Sequence, residues 1–248
     1  MARLVNLLYT ELLKLKRSKM FFISILGSVV APFMVVVASY VHMRTEDPAQ
    51  LITFSEIFSD TNLYTVLIIG VPLYGVITAY LFSREYMEDT LKNLLTIPVS
   101  RINFIMSKLI ILLMWIMLLT LVAWGLTLLL GILGQFQGLS TPLIVEYLGR
   151  FITGGVLVFI LSTPIVLVAV VMKNYVPTII LTIVITLINV MSGNSEHRAL
   201  FPWAAAGDIA NGTLLPTYPA EISYTTIFAT SIIGFIATIV YFKKVDIH

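Results

Sequence analysis

Six stretches of this chain contain no Asp, Glu, Lys or Arg: Met20 to Val41, Thr61 to Ser83, Leu109 to Val145, Phe151 to Met172, Asn174 to Ser195 and Ile222 to Phe242. Each exceeds the roughly 20 residues a helix needs to cross about 30 Å of hydrocarbon. Only 11% of the 248 residues are charged, whereas soluble domains carry about 25%. A bilayer is therefore the expected solvent. The expected fold is an all-α polytopic membrane protein, one domain over residues 1–248. Its spans fall at about 20–42, 61–82, 103–134, 151–172, 175–192 and 223–242.

The distribution of charge orients these spans. With the N-terminus in the cytoplasm, twelve Lys and Arg fall inside (Arg3, Lys14, Lys16, Arg17, Lys19, Arg84, Lys92, Arg101, Lys108, Lys173, Lys243 and Lys244) and three outside (Arg44, Arg150 and Arg198). The positive-inside rule then places both termini in the cytoplasm. A net charge of +2 is too small to imply nucleic acid. Zero cysteines removes disulfides, thiolate metal sites and a Cys nucleophile together.

The first nineteen residues put Leu4, Leu8, Leu12 and Leu15 on one helical face and Arg3, Asn6, Thr10, Lys14 and Arg17 roughly opposite. That pattern suits a helix lying in the plane of an anionic leaflet, and equally a basic flank that orients the first span. Gly27, Pro32, Gly70, Pro72 and Gly75 fall inside spans, as kinks or as ordinary packing positions. The acidic loop from His42 to Asp60 reads as a solvated external connection. Gly131 and Gly134 are expected to end the third helix, and Lys173-Asn174 with Pro177 to turn spans four and five into a hairpin. Residues 190–224 form an irregular external segment. There Trp203 beside Pro202 suits a membrane interface that wets the indole N–H.

The long polar island of the first two thirds is Ser83 to Lys108. From Glu85 to Leu95, Met87, Leu91, Leu94 and Leu95 share one side at helical spacing, with Glu88, Asp89, Lys92 and Asn93 largely on the other. Pro98 stops that helix, and Ser100 can cap the next. A short amphipathic helix of this kind can lie at the interface or fill a groove in a partner.

The order Glu85, Asp89-Thr90, Leu94-Leu95, Pro98 and Arg101 resembles the loop between the second and third spans of ABC-2 type ABC transporter permeases, especially the branch linked to bacitracin resistance and lantibiotic immunity. Asp89 stands where many distant members have Gly. The resemblance implies that residues 3–18 are an elbow helix and that the island is a cytoplasmic coupling helix seated in a groove of an ATPase subunit. There Met87, Leu91, Leu94 and Leu95 would fill the groove while Glu85, Asp89 and Arg101 fix the orientation. It also implies two ATPase copies holding ATP and Mg, and a second permease, identical or merely similar. The setting would be a bacterial plasma membrane and the cargo an antimicrobial or other amphipathic peptide. Pro202 and Trp203 would belong to an external cap over the path.

No G-x-x-x-x-G-K-[ST] occurs, so this chain has no P-loop for nucleotide. Glu196, His197 and Arg198, with Asp208 nearby, are the sole cluster resembling a catalytic or metal site, and a solvated loop explains them better. No span carries a charge near its centre, whereas ion-coupled carriers keep ionisable groups there. The expected role is a non-enzymatic transport subunit that binds no cofactor itself. An ATPase-independent channel or ion-coupled carrier is the alternative, and a sensor or scaffold has the same composition.

Overall fold

Local sequence signals set the helix ends in the computed structural model, which describes residues 2–16, 18–45, 52–88, 90 and 100–244. Helix α1 spans Ala2–Lys16 and α2 spans Lys19–Thr45. They are separated at Ser18, whose Oγ accepts from the Met20 N–H at 3.1 Å. Helix α3, Phe54–Tyr64, opens on a reciprocal cap: Thr53 Oγ1 accepts from the Glu56 N–H while the Glu56 carboxylate accepts from the Thr53 N–H. It continues through a π-helical segment, Thr65–Ile69, into α4, Gly70–Met87. Helix α5, Arg101–Leu133, starts at Ser100, whose Oγ accepts from the Asn103 N–H at 3.2 Å. Helix α6 is Thr141–Met172, and Lys173 ends it in a left-handed conformation, φ 53°. Asn174 then caps α7, Tyr175–Ser192. A short 3₁₀ turn, Arg198–Leu200, precedes α8, Pro202–Asn211, and α9 is Ala220–Lys244.

Six of these stretches are long and apolar enough to cross a membrane: Lys19–Met43, Phe54–Met87, Arg101–Leu133, Thr141–Met172, Tyr175–Ser192 and Ala220–Lys244. Two differ most from the sequence expectation. The second span begins at Phe54 rather than near 61, and the loop read as solvated supplies Phe54, Ile57 and Phe58, all buried. The Thr53/Glu56 cap starts the helix early, and three apolar side chains then pull it into the bundle. The fourth begins at Thr141 rather than near 151. It carries Glu146 and Arg150 as an i,i+4 ion pair of 2.6 Å, so charge inside a helical turn does not end the helix.

Helix α5 fills the centre, burying Ile111, Leu112, Trp115, Ile116 and Leu119. The Trp115 indole N–H donates to Ser24 Oγ on α2 at 2.9 Å. Helices α6 and α9 pack extensively, and Gly234 lets α9 reach the backbone of Pro164. A Cβ at Gly234 would lie 2.5 Å from the Pro164 nitrogen. Outward faces remain apolar, with Phe22, Ile23 and Leu26 on α2, Leu187 and Met191 on α7, and Ile232, Ile233 and Ile236 on α9 exposed. Such a surface suits lipid tails or a second membrane subunit.

Candidate functional site

The polar island begins while α4 is still helical, and its first residues turn into the bundle. Ser83 is buried and its Oγ donates to the carbonyls of Ala169 at 3.3 Å and Asn174 at 3.4 Å, tying α4 to the turn between α6 and α7. Two residues on, Glu85 is 3% exposed and faces Lys108 of α5, which is 1% exposed. Lys108 Nζ donates to Glu85 Oε1 at 2.7 Å, to Glu11 Oε2 at 3.4 Å and to the Leu81 carbonyl. Those three acceptors use every proton of its ammonium group.

Helix α1 closes the arrangement. Lys14 Nζ donates to Glu11 Oε1 at 2.6 Å and to Glu85 Oε1 at 3.2 Å. Two carboxylates and two ammonium groups thus alternate in a knot joining α1, α4 and α5. Taking an ion out of water costs several kcal/mol unless opposite charge and hydrogen bonds compensate it. Here each charge has an opposite neighbour. Burial works against the charge on Lys14, but Glu11 and then Glu85 outweigh it and hold its pKa above the ordinary value.

The neighbours of the knot extend the bracing. Arg84 Nε donates to Glu88 at 2.9 Å and its Nη1 to the Tyr80 hydroxyl at 3.0 Å. At the other side of the loop, Arg101 Nη1 donates to the last carbonyls of α9, Phe242 at 3.0 Å and Lys243 at 3.1 Å. The rings of Phe104 and Phe242 stack 5.8 Å apart behind it. Glu85 and Arg101, which flank residues 91–99, are therefore both bonded to the bundle.

Of the island residues singled out from sequence, Glu85 and Arg101 bond within the chain, and Met87 is 50% exposed at the end of α4. The Thr90 N–H donates to the Glu85 carbonyl at 3.0 Å. Asp89, Leu91, Leu94, Leu95 and Pro98 lie outside the described residues. Sequence reasoning passed over Glu11, read Lys14 as part of the polar face of the first helix, and counted Lys108 only among the orienting cations. The available signal was that Lys108 stands alone between Arg101 and Glu146, two helical turns inside α5, where a lone cation needs a partner.

At the opposite end, α8 packs across the bundle. Trp203 is 8% exposed and its ring lies tilted against Phe201, centroids 5.6 Å apart; its indole N–H has no partner among the described residues. It sits in an apolar cluster with Val71, Leu157 and Ile227, not at the wetted interface that its pairing with Pro202 suggests. Pro202 occupies the first turn of α8, where its missing N–H costs nothing. Asp208 accepts from Arg198 and from Thr213 Oγ1, and burial pushes its carboxyl above the usual range against the pull of Arg198. His197 pairs with the Tyr218 hydroxyl at 2.9 Å. Among the described residues no group of His, Asp and Glu is arranged to hold a metal ion.

Polar contacts bind the C-terminal end of α8 to the spans. Asn62 Nδ2 donates to Asn211 Oδ1 at 3.0 Å, and Arg150 Nη1 to the Asn211 carbonyl at 2.8 Å. The π-helical segment lies just below, and Asn189 Nδ2 of α7 donates to its Leu67 carbonyl at 2.9 Å. A π segment widens the helix and leaves backbone groups to be satisfied from outside; Asn189 does this for Leu67. Span two therefore links the charge knot at one end to α8 at the other through one backbone irregularity.

Residues 7–189 match the family model described as ABC-2 family transporter protein. The chain is also 61% identical over 205 residues to the bacitracin transport permease protein BCRB of Bacillus licheniformis, covering 83% of this chain and 99% of that protein.

Proposed function

Because this chain belongs to the ABC-2 family of transporter proteins, we propose that it is the membrane permease subunit of an ATP-driven exporter of bacitracin-like peptides. The observation that carries this reading is the 61% identity to a bacitracin transport permease across nearly all of that protein's length. Nucleotide chemistry belongs to a separate ATPase, since this chain has no P-loop sequence. ATP and Mg bind there, in two copies, and two permeases, identical or similar, form the membrane unit.

The loop from Glu85 to Arg101 is the handle on which the ATPase acts, on the side where twelve of fifteen basic residues fall. Leu91, Leu94 and Leu95, with Met87, enter the ATPase groove; Asp89 orients them, while Glu85 and Arg101 hold the roots of the loop. Closure of the ATPase pair pushes this loop. Because α4 is tied to α1 and α5 by the knot and to α6 and α7 by Ser83, the push moves several helices together rather than bending one. The π segment at Thr65–Ile69 is where the cap half of span two changes angle relative to the handle half. The cap around Pro202 and Trp203 then opens or covers the path. Helix α1 lies in the inner leaflet as the elbow, and both termini are cytoplasmic.

The buried charges do not favour the carrier alternative. Lys108 is saturated by three acceptors, and each charge of the knot already has an opposite partner within the chain. The test is Leu94→Asp in the complex reconstituted with its ATPase. Bacitracin-stimulated ATP hydrolysis should disappear while membrane insertion stays normal. Full stimulation in that variant removes the loop from the coupling role.

A further inference from the structure

Helices α1, α2 and α4 line a half-open cavity of about 630 Å³ beside the charge knot. Lys14, Lys19 and Arg84 line it, and among the described residues no carboxylate does. Lys14 is paired with the buried Glu11 and Glu85, and Arg84 with the exposed Glu88. Lys19 is exposed and makes no ion pair among the described residues. Ser18, 91% buried by its 9% exposure, also lines the cavity. Its Oγ accepts from the Met20 N–H, so its own O–H is left to donate.

The floor of the cavity is greasy. Leu13 and Met20 line it, and Lys19 heads a stripe of exposed apolar residues along one face of α2, Ile23, Leu26 and Val30. Three basic side chains beside an apolar stripe, one of them, Lys19, without an ion pair among the described residues, complement an amphiphile with an anionic head. Basic pockets between membrane helices at the cytoplasmic side bind such headgroups.

We infer that this cavity binds the phosphate headgroup of an anionic phospholipid of the inner leaflet, its acyl chains lying along Ile23, Leu26 and Val30. Lys19, Lys14 and Arg84 hold the phosphate, with the Ser18 hydroxyl as a further donor. The choice of leaflet rests on the topology proposed above; binding itself does not. The site sets a bound lipid one side chain, Lys14, away from Glu85 at the root of the handle.

Native mass spectrometry of the detergent-purified chain tests this without any ATPase activity. The protein is titrated separately with phosphatidylglycerol, phosphatidylethanolamine and inorganic phosphate. The phosphatidylglycerol adduct should persist at concentrations where phosphatidylethanolamine and inorganic phosphate leave none. Each basic contact is worth about five-fold in such binding, so Lys19→Ala should weaken it about five-fold and Lys19→Glu about thirty-fold. Lys19→Arg should restore it. Equal retention of the two lipids, an unchanged Lys19→Glu, or equal capture of inorganic phosphate overturns the proposal. So does a second copy of the chain covering the cavity and excluding lipid. Absence of peptide transport by the wild-type complex, with lipid binding intact, would count against the exporter reading alone.

Discussion

Replacing Lys108 by Met separates the charge of the knot from its packing. Met keeps an unbranched apolar stem of similar reach, so the contact with Phe104, now 5.1 Å from the ammonium, is largely retained. What disappears is one of two positive charges facing Glu85 and Glu11. Lys14 then serves both carboxylates, at 3.2 Å and 2.6 Å, leaving one negative charge in excess among side chains that are buried. Removing one partner of a buried pair costs roughly 3–5 kcal/mol. Glu85→Gln leaves the opposite excess and should cost a similar amount. Lys108→Met with Glu85→Gln removes one charge of each sign and leaves the Glu11–Lys14 pair intact. The double variant should therefore be more stable than the sum of the single losses, by about 0.5–3 kcal/mol for residues in direct contact. SDS-titrated unfolding in mixed micelles measures all three variants. Simple additivity in the double variant would refute the claim that these charges act as one unit.

Two further perturbations test other parts of the molecule. Gly234→Ala drives a Cβ to 2.5 Å from the Pro164 nitrogen, a backbone atom that cannot rotate away. Overpacking of this kind costs about 1–3 kcal/mol, so the variant should melt lower, and an unchanged melt would mean that α6 and α9 are not so close. Asp208 has its carboxyl raised above the ordinary 3.8 by burial. In the pH range just above that value the folded chain holds a proton that the unfolded chain has released, so stability from this group grows as pH falls and fades as pH rises through the folded value. Wild type should thus gain melting temperature on acidification through that range relative to Asp208→Asn; parallel profiles would contradict the raised value.

Hydropathy made the six spans legible because each needs about 20 apolar residues whatever it packs against. The ends of the helices were less legible. Thr53 and Glu56 form a capping pair that is visible in the sequence, yet the acids at Glu56 and Asp60 made the segment look solvated. In the fold, Phe54, Ile57 and Phe58 decide the matter by burial. Glu146 and Arg150 misled in the same way, since each neutralises the other one turn apart. The charge knot was hidden for a different reason. Its members lie 97 residues apart in the case of Lys108 and Glu11, and no local pattern reports a pairing across helices. Trp203 shows the converse limit, because an indole suits a wet interface and an apolar core equally well until its neighbours are known.

The central claim is that the loop between α4 and α5 is gripped by a separate ATPase. The chain has no cysteine, so Leu94→Cys gives a single reactive thiol on that loop. Crosslinking from this thiol in membranes that also contain the ATPase tests the claim most directly. The expected result is one crosslinked product joining this chain to the ATPase, formed only from the cytoplasmic face. Crosslinks confined to lipid or to the chain itself, or labelling of the thiol from outside the cell, would contradict it.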